Sequence, residues 1–114
     1  MSSVKIIRSL SALAQEHRLS AFRLLVQAGL VGVPAGRLAD AIGVASSSMS
    51  FHLAQLVHAG LVRQSRKGRS IIYKADFKAM NGLMRYLSEN CCLGEPCITD
   101  VLCSREGCSE KDVA

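Results

Sequence analysis

Two apolar stretches at helical spacing, joined by only three residues, constrain this chain more than any other feature. The first runs from Pro34 to Ile42 and turns Leu38 and Ile42 inward. The second follows Gly43-Val44-Ala45 and carries Met49, Leu53, Leu56 and Val57 as one stripe. Gly43 and Gly60 stand where the two helices should stop. Ser46, Ser47 and Ser48 stand where they can cap the second one. A turn this short forces the second helix to cross close to the first, the helix-turn-helix arrangement.

The flanking sequence extends the pattern. Ile6, Leu10 and Leu13 predict a helix from Val4 to Leu13. Leu19, Phe22, Leu25 and Val26 predict another from His17 to Ala28, ended by Gly29. After Gly60, Leu61–Arg66 and Arg69–Lys74 read as two strands of a hairpin around Lys67-Gly68. Asp76 can cap a last helix running to about Glu89, with Phe77, Met80, Leu83, Met84 and Leu87 on one face. Helix, helix, helix-turn-helix, hairpin, helix is the order of a winged helix-turn-helix domain. The expected fold is therefore mostly α with a β-hairpin wing (α+β). Its boundaries are residues 1–90, with residues 91–114 as a cysteine-rich tail.

Charge divides the chain in the same place. Residues 1–88 carry 12 Lys and Arg against 3 Asp and Glu, a net of +9. Residues 89–114 carry 2 against 6, a net of −4. Between Asp40 and Asp76 there is no acidic residue. The second helix of the pair and the wing are thus free of negative charge, as a phosphate-facing surface requires. Arg63, Arg66, Lys67 and Arg69 fall within seven positions expected at the hairpin tip, where they would grip the DNA backbone. Ser46, Ser47, Ser48, Ser50, Phe51 and His52 fall on or beside the polar side of the second helix. The serines can bond phosphates or base edges, or simply cap. Phe51 either touches a thymine methyl or packs near the wing; His52 either reaches DNA or is structural.

The run SSMSFHLAQLVHAGLV from Ser47 to Val62, the run RKGRSIIYK from Arg66 to Lys74 and SALAQEHRLSAFRLLVQAG from Ser11 to Gly29 carry a resemblance. Together they resemble the arsenic-responsive repressor (ArsR/SmtB) family of bacterial winged-helix metalloregulators, over residues 5–88. The resemblance implies a homodimeric winged-helix repressor. It places the dimer interface on the first and last helices, here Ile6, Leu10 and Leu13 with Met80, Leu83, Met84 and Leu87. A dimer would set two recognition helices about 34 Å apart on an inverted repeat of double-stranded operator DNA. One departure is Phe51, where the family usually has a polar or basic residue.

The family senses ligands at several sites, and two have no counterpart here. The Cys-Val-Cys site on the first DNA-binding helix corresponds to Val31–Leu38, which holds no cysteine. The zinc site on the last helix needs Asp and His, and no His lies between Asp76 and Asn90. All five cysteines lie in the tail: Cys91, Cys92, Cys97, Cys103 and Cys108. Thiolates are soft ligands, and an odd number argues against a closed disulfide framework. Adjacent cysteines can tip both sulfurs to one side, and Gly94 and Pro96 favour a reversal that returns Cys97 to them. The NCC string at Asn90–Cys92 is similar to a cysteine cluster of some relatives. Cys91, Cys92 and Cys97 are accordingly the expected ligands of trivalent arsenic or antimony, the inducer. Cys103 and Cys108 are a second site, alternative ligands or bystanders. Zinc, cadmium, lead, trivalent organoarsenicals and oxidants remain alternative signals for the same thiols.

No organic cofactor is implied. An enzyme would need an activated cysteine in an electropositive pocket. Here Cys91 and Cys92 follow a helix C-terminus, whose dipole raises a thiol pKa, and the tail is acidic. Neither a signal peptide nor a stretch near the ~20 apolar residues of a membrane span is expected, which points to the cytoplasm.

Overall fold

The computed structural model describes residues 2–89. The elements, in order, are α1 (Ser3–Leu13), α2 (Glu16–Ala28), β1 (Val33–Pro34), α3 (Ala35–Ile42), α4 (Ser46–His58), β2 (Val62–Lys67), β3 (Ser70–Ala75) and α5 (Phe77–Ser88). A 3-10 turn, Gly29–Val31, links α2 to β1. The chain divides into two units, Met1–Leu83 and Met84–Ala114, so α5 runs through the boundary.

The core lies in the first unit. Leu25 of α2, Leu38 of α3, Met49, Leu53 and Leu56 of α4, and Leu61 before β2 are fully buried. Each contributes about 1.5–3 kcal/mol relative to an exposed side chain. Phe22, Val62, Tyr73 and Ala75 close the cluster. Because α4 commits three residues spaced four and three apart to this core, its opposite side must face outward.

Gly43 makes the turn between α3 and α4. It adopts a left-handed φ of 85°, and its N–H donates to the Ala39 carbonyl at 2.8 Å. The α4 N-cap is Ala45, with no side-chain bond. Ser46, Ser47 and Ser48 therefore do not cap the helix as expected; they form its exposed first turn. Asp76 does cap α5, accepting from the Ala79 N–H at 3.0 Å through Oδ1.

The sheet differs from a lone hairpin. It has three antiparallel strands in the order β1-β3-β2. Val33 pairs with Tyr73 and Pro34 with Ile72, so Pro34 ends a short edge strand and N-caps α3 instead of lying inside it. Proline is tolerated there because an edge residue need not donate to the ladder. In the hairpin, Lys67 pairs with Ser70. The turn is thus Gly68-Arg69, one residue beyond the expected position, with Gly68 at φ 64°.

The inward face of α1 also departs from expectation. Ile6, Ser9 and Ala12 are buried, at i, i+3 and i+6, while Val4, Ile7 and Leu10 are exposed. Small residues at two of the three inward positions let α1 lie close to its neighbours. Among the expected dimer residues, Ile6 is 3% exposed and Leu83 6%, so both are already covered within one chain. Leu13, Met80 and Met84 are half-buried, and Leu10 and Leu87 are exposed. On α2, Leu19 is exposed, not inward.

Candidate nucleic-acid interface

The outward side of α4 begins with Ser46, Ser47, Ser48 and Ser50, all exposed. Phe51 follows, 58% exposed. The serines stand out because Met49 and Leu53 anchor the same turns in the core. A helix start with four hydroxyls and no carboxylate in its first turn favours anions, since its free N–H groups carry partial positive charge. The exposed Phe51 ring is an apolar contact surface amid these hydroxyls, and it meets the His52 ring in a T-shaped arrangement with centroids 5.9 Å apart.

His52 departs from the expected outward position. It is half-buried, and its ring lies 5.6 Å from that of His17 on α2. Its Nδ1 is buried without a hydrogen-bond partner among the described residues, as is Nε of Arg18. Burial pushes the His52 pKa below the ordinary imidazole value, and the positive charges of Arg18 and His17 push it the same way. His17 and Arg18 carried no signal in the sequence, because no periodicity relates α2 to a residue more than thirty positions on.

On the wing, Arg66, Lys67 and Arg69 are exposed at the tip. Arg63 is not at the tip as expected. It lies at the base of β2, where its Nε donates to Asp76 Oδ2 at 3.2 Å. The same carboxylate that caps α5 therefore also holds one of the four wing cations. Alternation along β2 separates its cations by face. Arg63 and Lys67 share one side of β2, and Arg66 points to the other.

Among the described residues, no three His, Cys, Asp or Glu side chains converge as a metal site. Cys91, Cys92, Cys97, Cys103 and Cys108 lie outside the described residues. No described helix is long and apolar enough to cross a membrane.

Comparison with known proteins agrees with this geometry. Residues 13–65 match a family described as a helix-turn-helix domain. The fold is similar to that of HlyU from Vibrio cholerae N16961, at 30% identity and a TM-score of 0.61, over 75% of this chain and 92% of that one. It is also similar to a homodimeric winged helix-turn-helix DNA-binding domain from Mycobacterium bovis, a possible ArsR-family transcriptional regulator. There the identity is 27% and the TM-score 0.60, over 75% and 80% of the two chains. A possible transcriptional regulator for arsenical resistance matches at 28% identity and a TM-score of 0.63, over 70% and 80%. No curated protein sequence matches the chain.

Proposed function

The chain belongs to the ArsR/SmtB family of winged helix-turn-helix transcriptional regulators, and we propose that it is a dimeric repressor released from operator DNA by trivalent arsenic or antimony. The observation that carries the DNA-binding half is the acid-free span from Ala41 to Ala75, which includes α4 and the wing. The dimer reading draws on the homodimeric relative and on the exposed Val4, Ile7 and Leu10 of α1. The arsenic half draws on the tail thiols and on the relative named for arsenical resistance.

The binding chemistry needs no oxidant. Arsenous acid condenses with three thiols, forming three As–S bonds. Each thiol proton leaves with an arsenic hydroxyl as water. Cys91, Cys92 and Cys97 supply the sulfurs. Because Cys91 follows α5 by only a few residues, joining these thiols through arsenic biases α5. The ligand releases DNA only in so far as it binds the two states unequally, and a coupling of about 1–3 kcal/mol corresponds to about 5–150-fold in DNA affinity.

The test is an arsenite titration of the protein bound to the upstream region of its own gene. Wild type should dissociate. Cys91→Ser and Cys92→Ser should bind the DNA and stay bound. Full release of either variant would show that the ligand set is wrong. Release by zinc and not arsenite would move the signal to a four-thiolate site that includes Cys103 or Cys108.

A further inference from the structure

Three cationic or proton-accepting side chains meet where α2 packs against α4: His17 and Arg18 from α2, and His52 from α4. The two rings are 5.6 Å apart. Two nitrogens of the group, His52 Nδ1 and Arg18 Nε, are buried and lack hydrogen-bond partners among the described residues. Buried polar atoms without partners are uncommon, and each calls for an explanation.

The chemistry of the two orphan atoms supplies one. Arg18 Nε is always a donor. His52 Nδ1 is an acceptor when the ring is neutral in the Nε2–H form, and a donor when it is protonated. Neither atom is bonded to the other, and the neutral ring adds no charge beside Arg18 and His17. The protonated ring adds a positive charge beside that of Arg18. No carboxylate offsets that charge. Glu16 is exposed at the start of α2, Asp40 is exposed on α3, and α1 and β2 contain no acidic residue. The remaining cations of these elements, Lys5, Arg8, Arg23, Arg37, Arg63, Arg66 and Lys67, are exposed on the surface.

We propose that His52 is a positioning residue for the recognition helix: neutral, it packs beside His17 where α4 meets α2, and protonated, it loosens that packing and weakens DNA binding. The proposal deepens the repressor reading and rests on it for its DNA readout. The expected sign is diagnostic. Protonating His17, His52 or His58 as simple surface charges would tighten binding to a polyanion. Protonation that unseats α4 does the opposite. The linkage runs the same way, because burial and Arg18 depress the folded pKa. Stability from this contact is full above about 6.5 and falls as the pH drops through the window below it.

The experiment measures affinity for a duplex of the upstream region at pH 7.5 and pH 5.5, at fixed ionic strength. It is paired with an NMR pH titration of the three imidazoles in the full chain. Wild type should bind more weakly at pH 5.5, and His52 should titrate below the ordinary imidazole value. In His52→Gln, which keeps an acceptor but cannot be protonated, the ratio of the two affinities should turn toward tighter binding in acid. In Arg18→Gln the His52 titration should move up. Wild-type binding that is unchanged or tighter at pH 5.5, or a His52 that titrates at or above the ordinary imidazole value, overturns the proposal. If the duplex is not bound at either pH, the repressor reading fails. The imidazole titrations of wild type and Arg18→Gln then still decide whether the Arg18 charge acts on His52.

Discussion

The wing offers a prediction whose size follows from the strand geometry. Suppose Arg66 is replaced by Gln and, separately, Arg63 by Gln. Each phosphate neutralised by a protein contributes about 0.9 to the slope of log affinity against log salt. With two wings in a dimer, losing Arg66 should lower that slope by about 1.8, which makes the salt response of variant and wild type differ about twelvefold between 50 and 200 mM. Arg63 should behave differently. It lies three residues back along β2, about 10 Å at the usual rise, which is one Debye length near 0.1 M salt. Its charge is also offset by Asp76, 3.2 Å away. Its removal should change the slope by less than half as much. Lys67→Gln adds geometric information, since Lys67 and Arg66 point to opposite faces of the strand. A wing laid flat on the backbone would lose slope with only one of them; a wing held edge-on would lose it with both. The assay is fluorescence anisotropy on the upstream duplex across a salt series. An unchanged slope in both Arg66→Gln and Lys67→Gln would refute the wing as a phosphate grip. An Arg63→Gln effect as large as that of Arg66→Gln would refute the role given to Asp76.

Two further substitutions test the scaffold. At Gly32 the φ of 78° is accompanied by a lack of space: an added Cβ would lie 2.6 Å from Ile72 Cγ2 and 2.8 Å from the Tyr73 carbonyl oxygen. Gly32→Ala should cost about 2–4 kcal/mol by combining backbone strain with a clash at the β1–β3 pairing, whereas Gly36→Ala, helical and with open space around it, should stabilise by about 0.4–1 kcal/mol. Thermal melts that rank the two in the other order would contradict the described β1–β3 contact. At Asp76, Ala should cost about 0.5–2 kcal/mol by removing the α5 cap, and Asn should lose well under 1 kcal/mol because it can still cap and only the exposed ion pair goes. Equal losses for both variants, measured by urea unfolding, would put the stabilisation in the ion pair and not in the cap.

Elements whose signal is local were legible in the chain. The α3–α4 turn was readable because Gly43 and two apolar stripes each point to it within a dozen residues. The Asp76 cap was readable because an N-cap is a contact three residues long. What could not be read depends on partners distant in sequence. The strand β1 is two residues long and exists only because Tyr73 and Ile72 present their free edge to it. The serines before Met49 have the composition of a cap, yet the N-cap is Ala45, one residue before the first of them, and Ser46 already lies inside the helix. Arg63 looked like its neighbours in the wing, and only the fold brings Asp76 beside it.

The same distinction governs the site. Phe51 and the serines are exposed because they lie opposite Met49 and Leu53, which a helical wheel can show. That His52 would turn toward α2 needs the crossing of α2 and α4, and no wheel contains it. On α1 the error has a different cause. Ile6, Leu10 and Leu13 form a regular stripe by hydrophobicity, but the face turned inward carries Ser9 and Ala12. A close helix contact selects for small residues, so the inward face is less apolar than the outward one. Val4, Ile7 and Leu10 then lie within about 120° of one another on the exposed side, given about 100° per residue. An apolar stripe left outside by a helix that already has an inner face is what a partner surface looks like. The residues best placed to serve the proposed dimer on α1 are therefore Val4 and Ile7 beside Leu10, and not Ile6, which its own chain has already buried.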